Sequence, residues 1–244
     1  MKEDAIEARN LVKTFGEIRA LGGLSFAVKK GEIYGLIGPN GAGKTTALRI
    51  IATLITPTSG SVKVFGFDVE RNASEVRDII SYLPEEAGAY KNLSGWEYLE
   101  FMANFYSISE KTGQTVVKEA AEISGLGDRL KDKVKTYSKG MGRRLLIARA
   151  LMTKPKLAIL DEPTSGLDVV HAFYVRRIIQ DYAKEYGVTI LLSSHNMLEV
   201  EFLCNRVALI NEGEILAEGT PEEIKSRYNA GNLEEAFMEA TSLG

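Results

Sequence analysis

Cysteine is nearly absent from the 244 residues: Cys204 stands alone. That excludes an intrachain disulfide and any cysteine cluster for a metal, and leaves Cys204 most simply read as a small buried hydrophobe. Long apolar runs are also missing. None approaches the ~18 residues that a membrane-spanning helix needs, and the first ten residues, MKEDAIEARN, carry no signal-peptide pattern. The expectation is a cytoplasmic chain, so any role at a membrane requires another chain to supply the membrane part. An excess of positive charge is lacking as well. A net charge of -3 and a pI near 5.7 give no electrostatic footprint for nucleic acid. No internal repeat or low-complexity linker interrupts the chain. Its 45% hydrophobic and 26% charged residues are ordinary for a globular protein, and its length allows one large or two small domains.

What is present is concentrated first in residues 33–46, IYGLIGPNGAGKTT. A short apolar run stops at Gly38, and a helical pattern opens after Lys44-Thr45-Thr46. Gly38 and Gly43, followed by Lys44 and Thr45, match the spacing G-x-x-x-x-G-K-[ST] in full. Glycines let the backbone of Gly38-Pro39-Asn40-Gly41-Ala42-Gly43 curl so that successive N–H groups face phosphate oxygens. The following helix adds unpaired N–H groups and the positive end of its dipole. Lys44 can reach the β- and γ-phosphates, and the Thr45 hydroxyl can ligate Mg2+. A glycine-rich turn that happens to carry a lysine is the bland alternative. The strand before the loop and the helix after it argue for a nucleoside triphosphate site instead.

The rest of the chain supplies a frame. Residues 1–30 alternate apolar and polar types, which predicts half-buried antiparallel strands. Phe15 precedes a glycine there, and by itself reads as a core or edge aromatic. From Pro84-Glu85-Glu86 to about residue 153 the pattern turns helical. Trp96, Leu99, Met102 and Phe105 recur every three residues, a second stripe runs from Val116 to Ile123, and most aromatics of this block read as core. Lys131 to Arg144 is locally basic and reads as a solvated face. Within it, Ser138 is a natural N-cap for a helix starting near Gly140. Buried strands then alternate with helices over 157–218, implying a parallel sheet with crossover helices. The fold expected is α/β, with a core and antiparallel β subdomain from 1–84 and 154–220, an inserted helical subdomain over 85–153, and a helical tail over 221–244.

Two strand ends carry chemistry. The apolar run 157–160 ends in Asp161-Glu162, where Asp161 can hold the Mg2+ that Thr45 also touches. Glu162 can then position or deprotonate a water. An exposed acidic pair serving only solubility is the alternative, but strand carboxyl ends are where α/β sites lie. His195, one of only two histidines, follows the run 188–192 in the same way. A lone histidine is more often structural, yet a neutral imidazole here could accept a hydrogen bond from that water or contact the γ-phosphate.

In this order the segments resemble the nucleotide-binding subunit of an ABC transporter, over about residues 5–220. The phosphate loop is 38–45, the second acidic motif 157–162, the signature Tyr137-Ser138-Lys139-Gly140-Met141, the D-loop 165–168 ending in Asp168, and the switch histidine His195. The resemblance implies a RecA-like phosphate-loop NTPase core, ATP and Mg2+ as ligands, an adenine-stacking role for Phe15, and Glu85 where the family has a glutamine linking the metal site to the helical subdomain. It also implies that Ser138, Gly140 and Asp168 contact nucleotide across a head-to-tail dimer of ATP-binding subunits, with Glu162 as base and Lys44 and His195 on the γ-phosphate. The partners implied are a second such subunit and a separate integral membrane permease, which would place the chain on the inner face of the membrane. Two departures stand out: Lys139 replaces the first of two signature glycines, and Glu85 replaces the glutamine. Both are similar to the subgroup in which the ATPase and the membrane subunit are separate chains, often exporters. A soluble ABC ATPase of translation or repair usually has two such domains or long coiled coils. A nucleotide-switch module would not need Glu162 and His195, and a phosphate-loop kinase has no use for the signature.

Overall fold

The computed structural model describes residues 4–106 and 110–242. The alternating N-terminal run folds as a long antiparallel pair, β1 (Asp4–Phe15) and β2 (Ile18–Lys29). Next come β3 (Ile33–Ile37), α1 (Lys44–Ile51), β4 (Ser59–Val64) and the two-residue β5 (Phe67–Asp68). Strands β2-β1-β4-β5 form one antiparallel sheet. After α2 (Ala73–Ile79) and β6 (Ile80–Leu83), the helical block holds α3 (Gly95–Phe105), α4 (Glu110–Ser124) and α5 (Lys139–Leu151). The α/β pattern resumes with β7 (Leu157–Asp161), α6 (Val169–Tyr186), β8 (Thr189–Ser194), α7 (Met197–Leu203), β9 (Arg206–Asn211) and β10 (Glu214–Gly219). The chain closes with α8 (Pro221–Tyr228) and α9 (Leu233–Ser242), whose Ile224, Leu233 and Ala236 are fully buried.

The second sheet has the order β10-β9-β3-β8-β7-β6, parallel except for the β9–β10 hairpin. Its central strands are apolar on both faces because both are covered, as parallel sheets require. Alternation decides which residue goes where. Leu157, Ile159 and Leu191 pack with α1 and the antiparallel sheet, whereas Ala158, Leu160, Ile190 and Leu192 pack with the helical block and α6.

The expectation that most aromatics of the helical block are core is corrected. Tyr98 is buried, but Tyr90, Phe101, Phe105 and Tyr106 are exposed, Phe105 at 69%. A spacing of three falls short of a helical turn by ~60° per step, so four residues so spaced drift halfway round the helix. The stripe that α3 buries is Gly95, Tyr98, Leu99 and Ala103. Ser94 starts this helix with a capping box, accepting from Glu97 N at 3.1 Å while Glu97 accepts from Ser94 N at 2.7 Å.

Cys204 is buried as expected, and burial pushes its thiol well above the ordinary range. An aromatic disulfide reagent at neutral pH is therefore expected to release no thiolate from the native chain over minutes, and one equivalent per chain in denaturant. Full reaction without denaturant contradicts this placement.

Candidate functional site

Parallel pairing sets the site. In the register Ile37 lies opposite Ser194, and Asp161 opposite Ser193. The ends of β3, β7 and β8 therefore reach the same sheet edge together, and the residues that follow them, Gly38, Glu162 and His195, come to one place. This is the carboxyl edge at which α/β sheets hold ligands.

Between β3 and α1 the loop 38–43 turns back over the strand end. Gly43 has φ +99°, and a Cβ there would lie 2.6 Å from Ala20 O. At Gly38 a Cβ would lie 2.0 Å from Ile210 O, so this residue is glycine for space. The β9–β10 turn braces the loop: Gly213 N donates to Ala42 O at 3.1 Å. No side chain caps α1, which leaves its first N–H groups to an anion, with Thr46 in the same turn. Lys44 is buried, and its Nζ donates to Gly38 O at 2.7 Å and Pro39 O at 3.1 Å while standing 3.4 Å from Glu162 Oε1. Pro39, Asn40 and Gly41 form the exposed outer rim.

Asp161 is 1% exposed and fully engaged. Its Oδ1 accepts from Thr45 Oγ1 at 3.1 Å and from Ser193 Oγ at 2.5 Å, and its Oδ2 lies 3.4 Å from the Tyr82 hydroxyl. Burial, with the Asp161 charge beside it, raises the Tyr82 phenol above its usual range, so it stays a neutral donor. A hydroxyl and a carboxylate 3.1 Å apart are hard oxygen donors of the type Mg2+ takes when phosphates complete its shell. Among the described residues no cluster of three His, Cys, Asp or Glu side chains could hold a metal alone.

Glu162, 5% exposed, has φ +48°, a left-handed backbone that costs a non-glycine residue ~1–3 kcal/mol unless its surroundings hold it. That turn aims its carboxylate back along the strand ends. Oε2 meets His195 Nδ1 at 2.8 Å and accepts from His195 N at 3.3 Å, and Oε1 faces Lys44. Lys44, Glu162 and His195, far apart in sequence, are thus in direct contact.

The other predicted residues lie apart from this cluster. Phe15, at the end of β1, is 49% exposed, and Lys13 Nζ stands 4.9 Å from its ring centroid. Its exposure sets aside a core position. Glu85 directs its carboxylate to Ser165 Oγ at 3.1 Å, on the loop that leads to Asp168. Ser138 caps α5, accepting from Met141 N at 3.2 Å. Gly140 is buried against His171, whose ring carbon Cγ would lie 2.2 Å from a Cβ there. Asp168 caps α6 through His171 N at 2.9 Å. No described hydrogen bond joins Ser138, Gly140 or Asp168 to residues 38–46.

Two residues escaped the sequence reading. Ser193 donates to Asp161 and accepts from Glu162 N at 2.9 Å, fixing both acids from the neighbouring strand. Arg143 belongs to the basic stretch read as solvated, yet it is 8% exposed. Its guanidinium donates to the carbonyls of Pro84, Glu85, Asp161, Glu162 and Pro163 at 2.7–3.2 Å. Burial lowers its pKa, and the carboxylates of Asp161, Glu85 and Glu162 oppose that. The signal was there: Gly140, Arg143, Ile147 and Leu151 follow helical spacing, and the other three are apolar or glycine.

A family model described as ABC transporter matches residues 21–165. The chain is 41% identical over 222 residues to the bacitracin transport ATP-binding protein of Bacillus licheniformis, covering 91% of this chain and 72% of that protein. It is 39% identical over 238 residues to a daunorubicin/doxorubicin resistance ATP-binding protein of Streptomyces peucetius, covering 98% and 72%. An ATP-binding cassette solved as a dimer in a post-hydrolysis state with ADP and Pi superposes with a TM-score of 0.77 at 26% identity, over 88% of this chain and 98% of that one. The phosphate loop, the acidic strand end and the α/β frame with its helical block thus have one reading: this chain belongs to the ABC transporter family and is an ATP-binding, ATP-hydrolysing domain of it.

Proposed function

We propose that this chain powers export of a substrate through a separate membrane subunit, by forming a head-to-tail dimer around two ATP molecules. The observation that carries this reading is the divided site. Residues 38–46, Asp161, Glu162 and His195 form a binding half on the sheet edge, whereas Ser138 and the start of α5 stand exposed in the helical block. A second copy brings its α5 N-terminus, with unpaired N–H groups and the Lys139 charge, to the γ-phosphate held by the first. Phe15 stacks on adenine, and Asp168 contacts the nucleotide of the opposite half. Thr45 and Asp161 would hold Mg2+, which would neutralise phosphate charge when bound. Glu162 takes a proton from the attacking water, His195 orients water and γ-phosphate, and Lys44 stabilises the charge that develops on the γ-phosphoryl oxygens.

Among the described residues no helix is long and apolar enough to cross a membrane; in this reading the membrane subunit supplies the path for the substrate. Between the sheet and the helical block is a cleft of about 800 Å3 lined by Glu85, Ala87, Lys91, Lys139 and Ser165. Tyr90, 58% exposed, stands on the same segment and is a candidate anchor. The membrane subunit docks at this cleft, where it touches the Glu85 segment directly. The similarity to resistance and bacitracin transport ATP-binding proteins supports export.

Affinity capture of tagged Glu162→Gln chain with Mg-ATP from solubilised membranes of its own cell tests the proposal. A stoichiometric polytopic protein that, reconstituted with the wild-type chain, raises its ATP turnover is the expected result. Recovery of ribosomal or nucleic-acid proteins alone would replace the export reading with that of a soluble ABC ATPase.

A further inference from the structure

Arg143 engages five main-chain carbonyls from two segments that are distant in sequence. An arginine has five N–H donors in a rigid planar fork, and here each of Nε, Nη1 and Nη2 is committed. Nη1 holds Pro84 O at 3.2 Å and Glu85 O at 3.1 Å, on the segment leaving β6. Nη2 holds Asp161 O at 2.7 Å and Glu162 O at 2.8 Å, and Nε holds Pro163 O at 2.9 Å. The residue sits on α5, five positions past Ser138, so the exposed helix start and the acidic strand end are joined through a single side chain.

We propose that Arg143 is a positioning residue for hydrolysis: it fixes the left-handed turn at Glu162 that aims the carboxylate at the reacting water. Glu162 holds φ +48° with Ser193 Oγ on its N–H and, on its C=O, Arg143 Nη2 at 2.8 Å and the Ser165 N–H at 3.2 Å. Without Arg143 the carbonyl keeps only the longer, neutral bond from Ser165 N, a weaker hold against the strain of the turn, and the peptide after Glu162 can rotate, carrying the carboxylate from His195 and Lys44. Arg143 also ties that peptide to Glu85, whose carboxylate accepts from Ser165. Displacement of α5 or of the Glu85 segment therefore reaches Glu162 through one rigid group. A lysine keeps the charge but has three donors at one point and cannot span both segments.

The proposal rests on Glu162 as the base, and the experiment separates the two claims. Arg143→Lys and Arg143→Gln are each made in the wild-type and Glu162→Gln backgrounds, with melting temperature recorded for all. Single-turnover hydrolysis at saturating Mg-ATP and ATP affinity by calorimetry are then measured. In the wild-type background the expected loss of rate is roughly 10- to 100-fold, the cost of a misplaced reacting group, with affinity within about twofold. In the Glu162→Gln background the same substitutions should change the residual rate by less than about twofold, because no carboxylate remains to be aimed. Equal factors in both backgrounds, or affinity falling in step with rate, overturn the positioning role and leave the base standing. Near-normal hydrolysis by Glu162→Gln alone removes the base and the positioning role with it.

Discussion

Replacing Glu162 by Gln is expected to lower ATP turnover by roughly 10²- to 10⁴-fold, the usual contribution of a positioned general base. ATP affinity should stay within about twofold. The substitution is nearly isosteric, and the structure shows why it should leave the fold alone. The Glu162 backbone is held by Ser193 and Arg143, neither of which touches the side chain. A glutamine amide can still accept from Lys44 through its oxygen and meet His195 Nδ1 through its NH2 group, so of the three contacts of the carboxylate only the 3.3 Å bond from His195 N loses its acceptor. What is lost is proton affinity at that point. Slow hydrolysis with intact binding should also leave an ATP-bound dimer long-lived, visible by light scattering after gel filtration with Mg-ATP. Phosphate release within a factor of about two of wild type would take Glu162 out of the proton transfer and leave His195 as the group to examine.

The halves of this site were unequally legible. Residues 38–46 could be read directly because their chemistry is local: glycine spacing, a lysine and a threonine are all contiguous. Asp161 and Glu162 were legible for a related reason, since a buried strand ending in acids marks the carboxyl edge of a sheet. The meeting of Lys44, Glu162 and His195 depended on strand order, with β8 between β3 and β7, which no local pattern encodes. Ser193 lies just past the apolar run 188–192, and its hydroxyl acquires meaning only from Asp161 on the next strand. Arg143 sits in a locally basic stretch, yet helical spacing puts it on the buried face of α5. A guanidinium can be buried when every donor finds a carbonyl, and these carbonyls come from two other segments of the chain. Phe105 shows the reverse, an aromatic at an approximate spacing that the true helical period carries to the surface.

Lys44→Ala is expected to weaken ATP binding by about 10- to 150-fold, which corresponds to the ~1.5–3 kcal/mol of a charge-assisted hydrogen bond. The cause differs from that at Glu162, because a cation on the phosphates acts before any chemistry begins. Lys44 is the cation whose ammonium stands within the loop itself, between the carbonyls of Gly38 and Pro39 and the carboxylate of Glu162. Removing it withdraws attraction for the phosphates and leaves the Glu162 charge facing them without that neutralising partner. Both changes act against ATP more than against ADP, since the γ-phosphate carries the added charge. The ATP affinity should therefore fall further than the ADP affinity, and calorimetric titration of both nucleotides reads the difference. Lys44→Arg should not restore binding, because a planar guanidinium is too broad for a buried point between two carbonyls. A melting temperature close to wild type would confine the effect to the ligand. Unchanged ATP affinity in Lys44→Ala would mean that the loop N–H groups and the start of α1 hold the phosphates by themselves.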